Sequence, residues 1–254
     1  MTTLPVFLAK TELLGAGTGE QIVLSGPEAR HAATVRRLST GERLELVDGR
    51  GLRVTGSVVS AAGDRIELRV EDSVQEPARS PELVLVQALA KGDRDLQAVE
   101  SCTELGVEAV IPWQAERSIA KLRPERQAKQ LAKWESALTS AAKQSRRARW
   151  PQLREPVTSF SLARLIEEAP GTRWLVLHES AQQRLTELLP ELASHEDLEG
   201  IGLIVGPEGG VSDAELERFV QAGAQPMLLG PEVLRSSTAG AAAVAVLSCA
   251  LGRW

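Results

Sequence analysis

The chain has 254 residues, a formal net charge of −5, and 43% apolar and 25% charged residues, ordinary proportions for a soluble globular protein with room for one large domain or two small ones. No stretch reaches the about 18 unbroken apolar residues of a membrane span, and the N-terminal residues lack the basic start and apolar run of a secretory signal. Cys102 and Cys249 stand alone, which suggests neither a disulfide framework nor a metal site, so a cytoplasmic protein is expected.

In chain order, residues 21–25, 43–47, 52–59 and 65–70 are alternating or β-branched runs, and Asp48-Gly49 is a hairpin signal. One helix, over 27–38, interrupts them. The expectation is a small β-barrel over residues 1–75. Within it, Glu12-Leu13-Leu14-Gly15-Ala16-Gly17-Thr18-Gly19 resembles a dinucleotide-binding loop. Such a loop has to open a helix, whereas Gln21-Ile22-Val23-Leu24 reads as strand, so a surface turn is predicted. Residues 76–81, with two prolines, read as a linker.

After the linker, strands over 83–89, 110–113, 174–177, 201–205 and 226–229 alternate with helices over 93–105, 124–144, 161–168 and 185–192. Ser212-x-x-Glu215 is a capping box opening another helix. An Ala-rich helix ends the chain. Apolar strands alternating with helices predict a mostly parallel sheet covered on both faces, over residues 80–254. The fold class expected is therefore α/β.

Two of those strands end in Gly-Pro elbows, Gly206-Pro207-Glu208-Gly209-Gly210 and Gly230-Pro231. Ligands settle at the carboxyl ends of strands in open α/β sheets, so the two loops are expected side by side at one sheet edge. Asp213 and Glu215 follow the first loop and would repel an anion, which favours a neutral or cationic ligand. A turn without ligand is the alternative. Charge is also uneven: residues 117–154 hold eleven Lys or Arg against Glu125 and Glu135. A basic block in an acidic chain is the footprint of a polyanion partner, or else a solvated helix face. Arg146, Arg147 and Arg149, beside Trp150, form its densest part and are candidate RNA contacts.

These segments in order resemble the knotted SPOUT-class RNA methyltransferases, and within them the RsmE-type enzymes that methylate N3 of a uridine in small-subunit (16S) ribosomal RNA. The matching residues include Glu28-Ala29-Arg30-His31 with Arg36-Arg37-Leu38, Val47-Asp48-Gly49, Lys91-Gly92-Asp93-Arg94 and Glu116-Arg117-Ser118. They continue through Gln144-Ser145-x-Arg147, Leu177-His178-Glu179, the Gly206 loop and Leu234-Arg235-x2-Thr238-Ala239.

The resemblance implies a PUA-like β-barrel for RNA docking, a methyltransferase domain with a deep trefoil knot, a homodimer, and S-adenosylmethionine as cofactor. It implies a cofactor site made of Leu177, His178, Glu179, Val205, Gly206, Pro207, Glu208, Gly209, Leu229, Gly230, Leu234, Arg235, Ser236, Thr238 and Ala239. Arg36, Arg37, Lys91, Arg94 and Arg117 join the RNA contacts, and Arg235 is the candidate catalytic group. The family's usual Glu before Thr-Ala is Ser237 here. A non-catalytic RNA-binding or ribosome-assembly protein retaining the fold is the alternative function.

Overall fold

The computed structural model describes residues 4–10, 15–194 and 197–254. Glu12, Leu13 and Leu14 of the glycine-rich stretch, and His195, lie outside the described residues. The chain divides into two compact units, residues 1–78 with 142–150, and residues 79–141 with 151–254.

The first unit is a five-stranded sheet in the order β1-β3-β4-β5-β2. Its strands are β1 (Val6–Leu8), β2 (Gln21–Ser25), β3 (Arg43–Val47), β4 (Leu52–Ala62) and β5 (Arg65–Gln75). Alternation places Leu44, Leu46, Val54, Val58, Ile66 and Leu68 on one buried face. β1 and β2 are its two edges and do not pair with each other among the described residues, so the sheet is not a hydrogen-bonded closed barrel. The single helix expected over 27–38 is instead α1 (Pro27–Arg30) continued by a π turn over His31–Val35. The wider turn ends at Val35, and Arg37, two residues on, has a φ of 55°. The described part of the glycine-rich stretch, from Gly15, behaves as a turn: Glu20 N donates to Gly17 O, and β2 follows at once.

Residues 142–150, which the sequence pattern assigns to the second domain, belong to this unit. Trp150 N donates to Gly49 O and Gly51 N to Ala148 O. Arg53 on β4 spreads its guanidinium over three partners: Nε to Glu76 at 2.7 Å, Nη1 to Glu45 at 2.5 Å and Nη2 to Arg146 O at 2.9 Å. Burial works against the Arg53 charge, but Glu76 and Glu45 outweigh it and raise its pKa above the ordinary arginine value. Replacing Arg53 by Met is expected to destabilise the protein by about 1–3 kcal/mol in urea unfolding, since two carboxylates and a carbonyl lose their donor. Arg53→Lys should recover only part of this, because an ammonium cannot fork three ways.

The second unit is a seven-stranded parallel sheet in the order β12-β10-β11-β6-β7-β8, with β9 also on β7. The strands are β6 (Glu82–Ala88), β7 (Ala109–Gln114), β8 (Gln152–Leu153), β9 (Val157–Thr158), β10 (Thr172–Leu177), β11 (Gly200–Val205) and β12 (Gln225–Met227). The helices are α2 (Arg94–Leu105), α3 (Pro124–Gln144), α4 (Ser159–Glu168), α5 (Leu185–Ser194), α6 (Asp213–Gln221) and α7 (Ser236–Ala250). No helix of the described residues is long and apolar enough to cross a membrane.

Continuous apolar strands bury both faces of the sheet. Leu83, Leu85, Leu203 and Val205 join α2, α3, α5 and α7 on one side. Val84, Val86, Ile111 and Ile204 join α4 and α6 on the other. α7 lies close on the sheet because Gly240 has no side chain, and a Cβ there would come within 2.9 Å of Leu85. Along α3, Trp134, Ala137, Leu138 and Ala141 are buried at helical spacing, which pins one face and leaves the other to solvent.

Candidate functional site

The two elbow-bearing strands are not neighbours. β10 runs between β11 and β12, in register Leu177↔Val205 and Leu177↔Met227. The side-by-side placement expected from the sequence is therefore corrected to a three-loop arrangement. Because all three strands are parallel, their following loops leave the same edge of the sheet. His178 N donates to Met227 O at 3.0 Å and extends the join beyond the strands. β12 also stops two residues earlier than the expected 229, so Leu228 and Leu229 already belong to the loop.

A cavity of about 470 Å³ opens among residues 177–179, 205–211 and 233–236, with Ala239 and Arg94. A smaller hollow of about 110 Å³ lies between residues 177–179 and 228–234. The first falls within the size range of small-molecule sites. Of the residues expected to hold a cofactor, all but Thr238 line one hollow or the other. Thr238 is exposed, and its backbone N–H closes the first turn of α7 onto Arg235 O. Gly210, Val211 and Val233 also line the larger cavity. They fall outside the expected set, although Gly210 and Val233 each adjoin a member of it and Val211 comes one residue later.

The Gly206 loop is held by side chains from two other segments. Arg94 Nη1 meets Glu208 at 3.1 Å, and Lys91 N donates to the same oxygen at 3.3 Å. Arg117 Nη1 donates to Gly209 O at 3.2 Å and to Val211 O at 3.5 Å. Arg94 and Arg117, expected as RNA contacts, are thus engaged with the loop in this state. Nothing in their spacing signals it, since they lie 114 and 92 residues from their partners.

Behind the loop, Glu215 is 1% exposed. Its carboxylate accepts from Glu116 N, Ser159 Oγ and Ser212 N, at 2.7, 2.5 and 3.0 Å. The capping box read from the sequence is present at the start of α6. The same carboxylate therefore ties the loop's far end to the segment after β7, a use that capping alone does not reveal.

Ser236 is buried, its hydroxyl has no partner among the described residues, and it lines the cavity at the start of α7. A buried orphan hydroxyl is costly unless something completes it. Arg235 forms the N-cap of α7, is exposed, and its guanidinium has no ion-pair partner among the described residues. His178 Nδ1 accepts from Ser180 N at 3.2 Å, which assigns the proton of the neutral ring to Nε2.

The other expected RNA contacts lie elsewhere. Arg36 and Arg37 are exposed at the end of the π turn, and Lys91 is exposed beside the loop. Arg146, Arg147 and Arg149 are half-buried in the first unit. Arg147 Nε donates to Arg149 O, and Arg149 Nε to Glu76 O, both at 2.9 Å. Lys143 pairs with Glu28. Arg147, Arg149 and Lys143 thus fasten the 142–150 segment, which is not the continuous solvated helix end that the sequence suggests.

Asp95 follows Arg94 but turns the other way, into a second groove. Burial pushes its carboxyl pKa up, against the hydrogen bonds from Leu96 N and Ala90 N. A raised pKa means that the folded state binds the proton more tightly. Its contribution is full at low pH and is lost as pH rises through the folded value. Asp95→Asn should remove this term, so the stability of wild type minus that of the variant should fall with rising pH above about pH 4 and then level off. Urea unfolding across mildly acidic pH measures it, and a difference independent of pH would refute it.

With this geometry in place, comparisons with known proteins are specific. The RNA methyltransferase domain family matches residues 78–248 and the RNA methyltransferase PUA domain family matches residues 24–71. The chain is 40% identical, over 93% of its length and 89% of the relative's, to the ribosomal RNA small subunit methyltransferase E of Mycobacterium bovis. Among solved structures, a methyltransferase of Legionella pneumophila in complex with S-adenosylmethionine superposes with TM-score 0.80 at 29% identity, covering 98% of each chain. A ribosomal RNA small subunit methyltransferase E of Neisseria gonorrhoeae, also bound to S-adenosylmethionine, superposes with TM-score 0.81 at 26% identity, covering 97% of this chain and 98% of that one.

Proposed function

Since the chain belongs to the RNA methyltransferase family, we propose that it transfers a methyl group from S-adenosylmethionine to N3 of a uridine in small-subunit ribosomal RNA. The observation that carries this reading is the three-loop cavity with Arg235, whose guanidinium has no ion pair among the described residues, at its rim and the orphan hydroxyl of Ser236 within. S-adenosylmethionine, when bound, supplies an electrophilic methyl on a positive sulfonium.

The residues present fit that group. Leu177, Val205, Leu234 and Ala239 give apolar wall for a nucleoside, and Ser236 supplies a hydrogen bond that nothing among the described residues fulfils. Glu208 is held by Arg94 and Lys91 N, so it serves the loop's shape. Uracil N3 carries a proton at neutral pH, and the site has to favour its loss. A guanidinium preorganised where negative charge develops does this without reorganising, and Arg235 takes that role. The cavity also has to align N3 with the methyl carbon.

In this reading the loops after β10, β11 and β12 form the trefoil knot. The protein acts as a cytoplasmic homodimer. The first unit docks RNA through Arg36 and Arg37. Calorimetric titration with S-adenosylmethionine, followed by mass mapping of ribosomal RNA modifications with and without the protein, tests the proposal. Absence of binding heat would leave a non-catalytic RNA-binding protein. A methyl group mapped to another base would overturn the N3 assignment.

A further inference from the structure

The turn leaving β6 has two faces. Gly92 and Asp93 take φ values of 69° and 57°, a conformation that a non-glycine residue adopts only when held there. Its effect is to send Arg94 to the cofactor cavity and Asp95 to a separate groove of about 440 Å³. One short wall, residues 92–95, divides the two hollows. The groove's other wall is α3, through Arg126, Lys129, Gln130 and Lys133.

On α3 the three cations lie three and four residues apart, hence on one face, and span about 10 Å of helix axis. All three are exposed. Lys133 approaches Asp93 only at 4.0 Å, and neither Arg126 nor Lys129 has an ion pair among the described residues. Like charges at such spacing work against a helix, so their grouping here is not explained by the stability of α3. Burial of Trp134 and Ala137 fixes the helix so that this face turns to the groove. Two acids share the groove: Asp95, 5% exposed and bonded to backbone, and Asp93 on the outer rim. The outward-facing charge is therefore positive.

We propose that this groove holds the phosphodiester backbone of single-stranded RNA on Arg126, Lys129 and Lys133, and that the shared wall at residues 92–95 hands the adjoining nucleotide to the cavity. It rests on the reading of the cavity as an RNA methyltransferase site, which supplies the identity of the polyanion. It also moves the RNA track from the 146–149 arginines, of which Arg147 and Arg149 bind carbonyls of their own unit, to a face that is open to solvent.

The test uses the full chain and an oligouridine of about 12 nucleotides, within the range of single-strand site sizes, followed by fluorescence anisotropy over a series of salt concentrations. The triple variant Arg126→Gln, Lys129→Gln, Lys133→Gln should bind at least about tenfold more weakly at low salt, and its log–log salt slope should fall by about 2, at about 0.7 for each phosphate no longer neutralised. A control carrying Arg164→Gln, Arg173→Gln and Arg218→Gln has the same net charge and should keep the wild-type slope. An unchanged slope in the groove variant, an equal loss in the control, or no oligouridine binding by the intact protein would overturn the proposal. S-adenosylmethionine affinity, measured on the same samples, should stay at the wild-type value in the groove variant. If it is absent already in wild type, the methyltransferase reading is what fails, and the salt slope still judges the groove.

Discussion

A valine at position 230 is expected to weaken S-adenosylmethionine binding about hundredfold while the protein stays folded and thermally stable. Gly230 lines the smaller hollow, between residues 177–179 and the loop before α7. A Cβ built there meets nothing nearer than a Glu232 carboxylate oxygen at 4.0 Å, and the backbone does not need a positive φ. The ligand-free chain therefore accepts the side chain, and its volume lands where a ligand has to lie. Forcing extra methyl groups into a filled site costs about 1–3 kcal/mol, and the upper end of that range is about a hundredfold in affinity.

The neighbouring glycines are poorer tests. A Cβ at Gly209 would stand 3.1 Å from Arg117 Cβ, and one at Gly206 would stand 2.9 Å from Val211 Cγ2. Substituting either deforms the loop itself, so a loss of binding there is ambiguous. Gly209→Val in particular presses on the turn carrying Arg117 before it can reach the cavity. Calorimetry and thermal unfolding of Gly230→Val settle the matter together. Full affinity with unchanged stability would show that the hollow at 230 is not part of the cofactor site.

What could be read from the sequence follows from what is local. The parallel sheet was legible because β6, β10 and β11 are continuous apolar runs bounded by turn residues, and α6 because Ser212 and Glu215 cap it reciprocally. The three-residue strand β1 and the two-residue strands β8 and β9 carry too little pattern to see, and they exist only by pairing with longer neighbours. The π turn after α1 was invisible, since Ala32-Ala33-Thr34-Val35 continues the helical pattern. At the site, the two Gly-Pro elbows could be read from the ends of apolar runs, whereas the set of lining residues came from the family resemblance. The order of those strands, with β10 between the two elbows, is tertiary information.

Charge was the least legible feature. A run of arginines signals a polyanion partner when it faces water, but Arg147 and Arg149 face carbonyl groups. Arg126, Lys129 and Lys133, less dense along the chain, are brought together only by the helix.

Replacing Arg235 by lysine is expected to lower the single-turnover rate about ten- to hundredfold, with smaller changes in cofactor and RNA affinity. The loss of a preorganised donor to developing negative charge costs about 10²–10³ in rate. Lysine keeps the charge but not the planar fork, so part of that loss is recovered. The expectation depends on where Arg235 sits. It caps α7 by its backbone, with Thr238 N and Ala239 N donating to its carbonyl at 2.8 and 2.9 Å. Any residue can hold that backbone role, so the lysine variant leaves the helix start intact.

The Arg235 side chain, without an ion pair at the cavity rim, is what changes. An interaction made mainly with the N3 anion acts in the transition state, which lowers turnover more than it raises KM. The residual rate should also climb with pH more steeply than in wild type, because solvent then removes more of the N3 proton without help. Purely structural damage would lower the rate at every pH by one factor. The pH–rate profiles of the two proteins, each under single-turnover conditions, therefore separate the two explanations. Wild-type turnover in the variant, or a defect confined to cofactor affinity, would remove Arg235 from the chemistry and leave it as an anchor of the loop before α7.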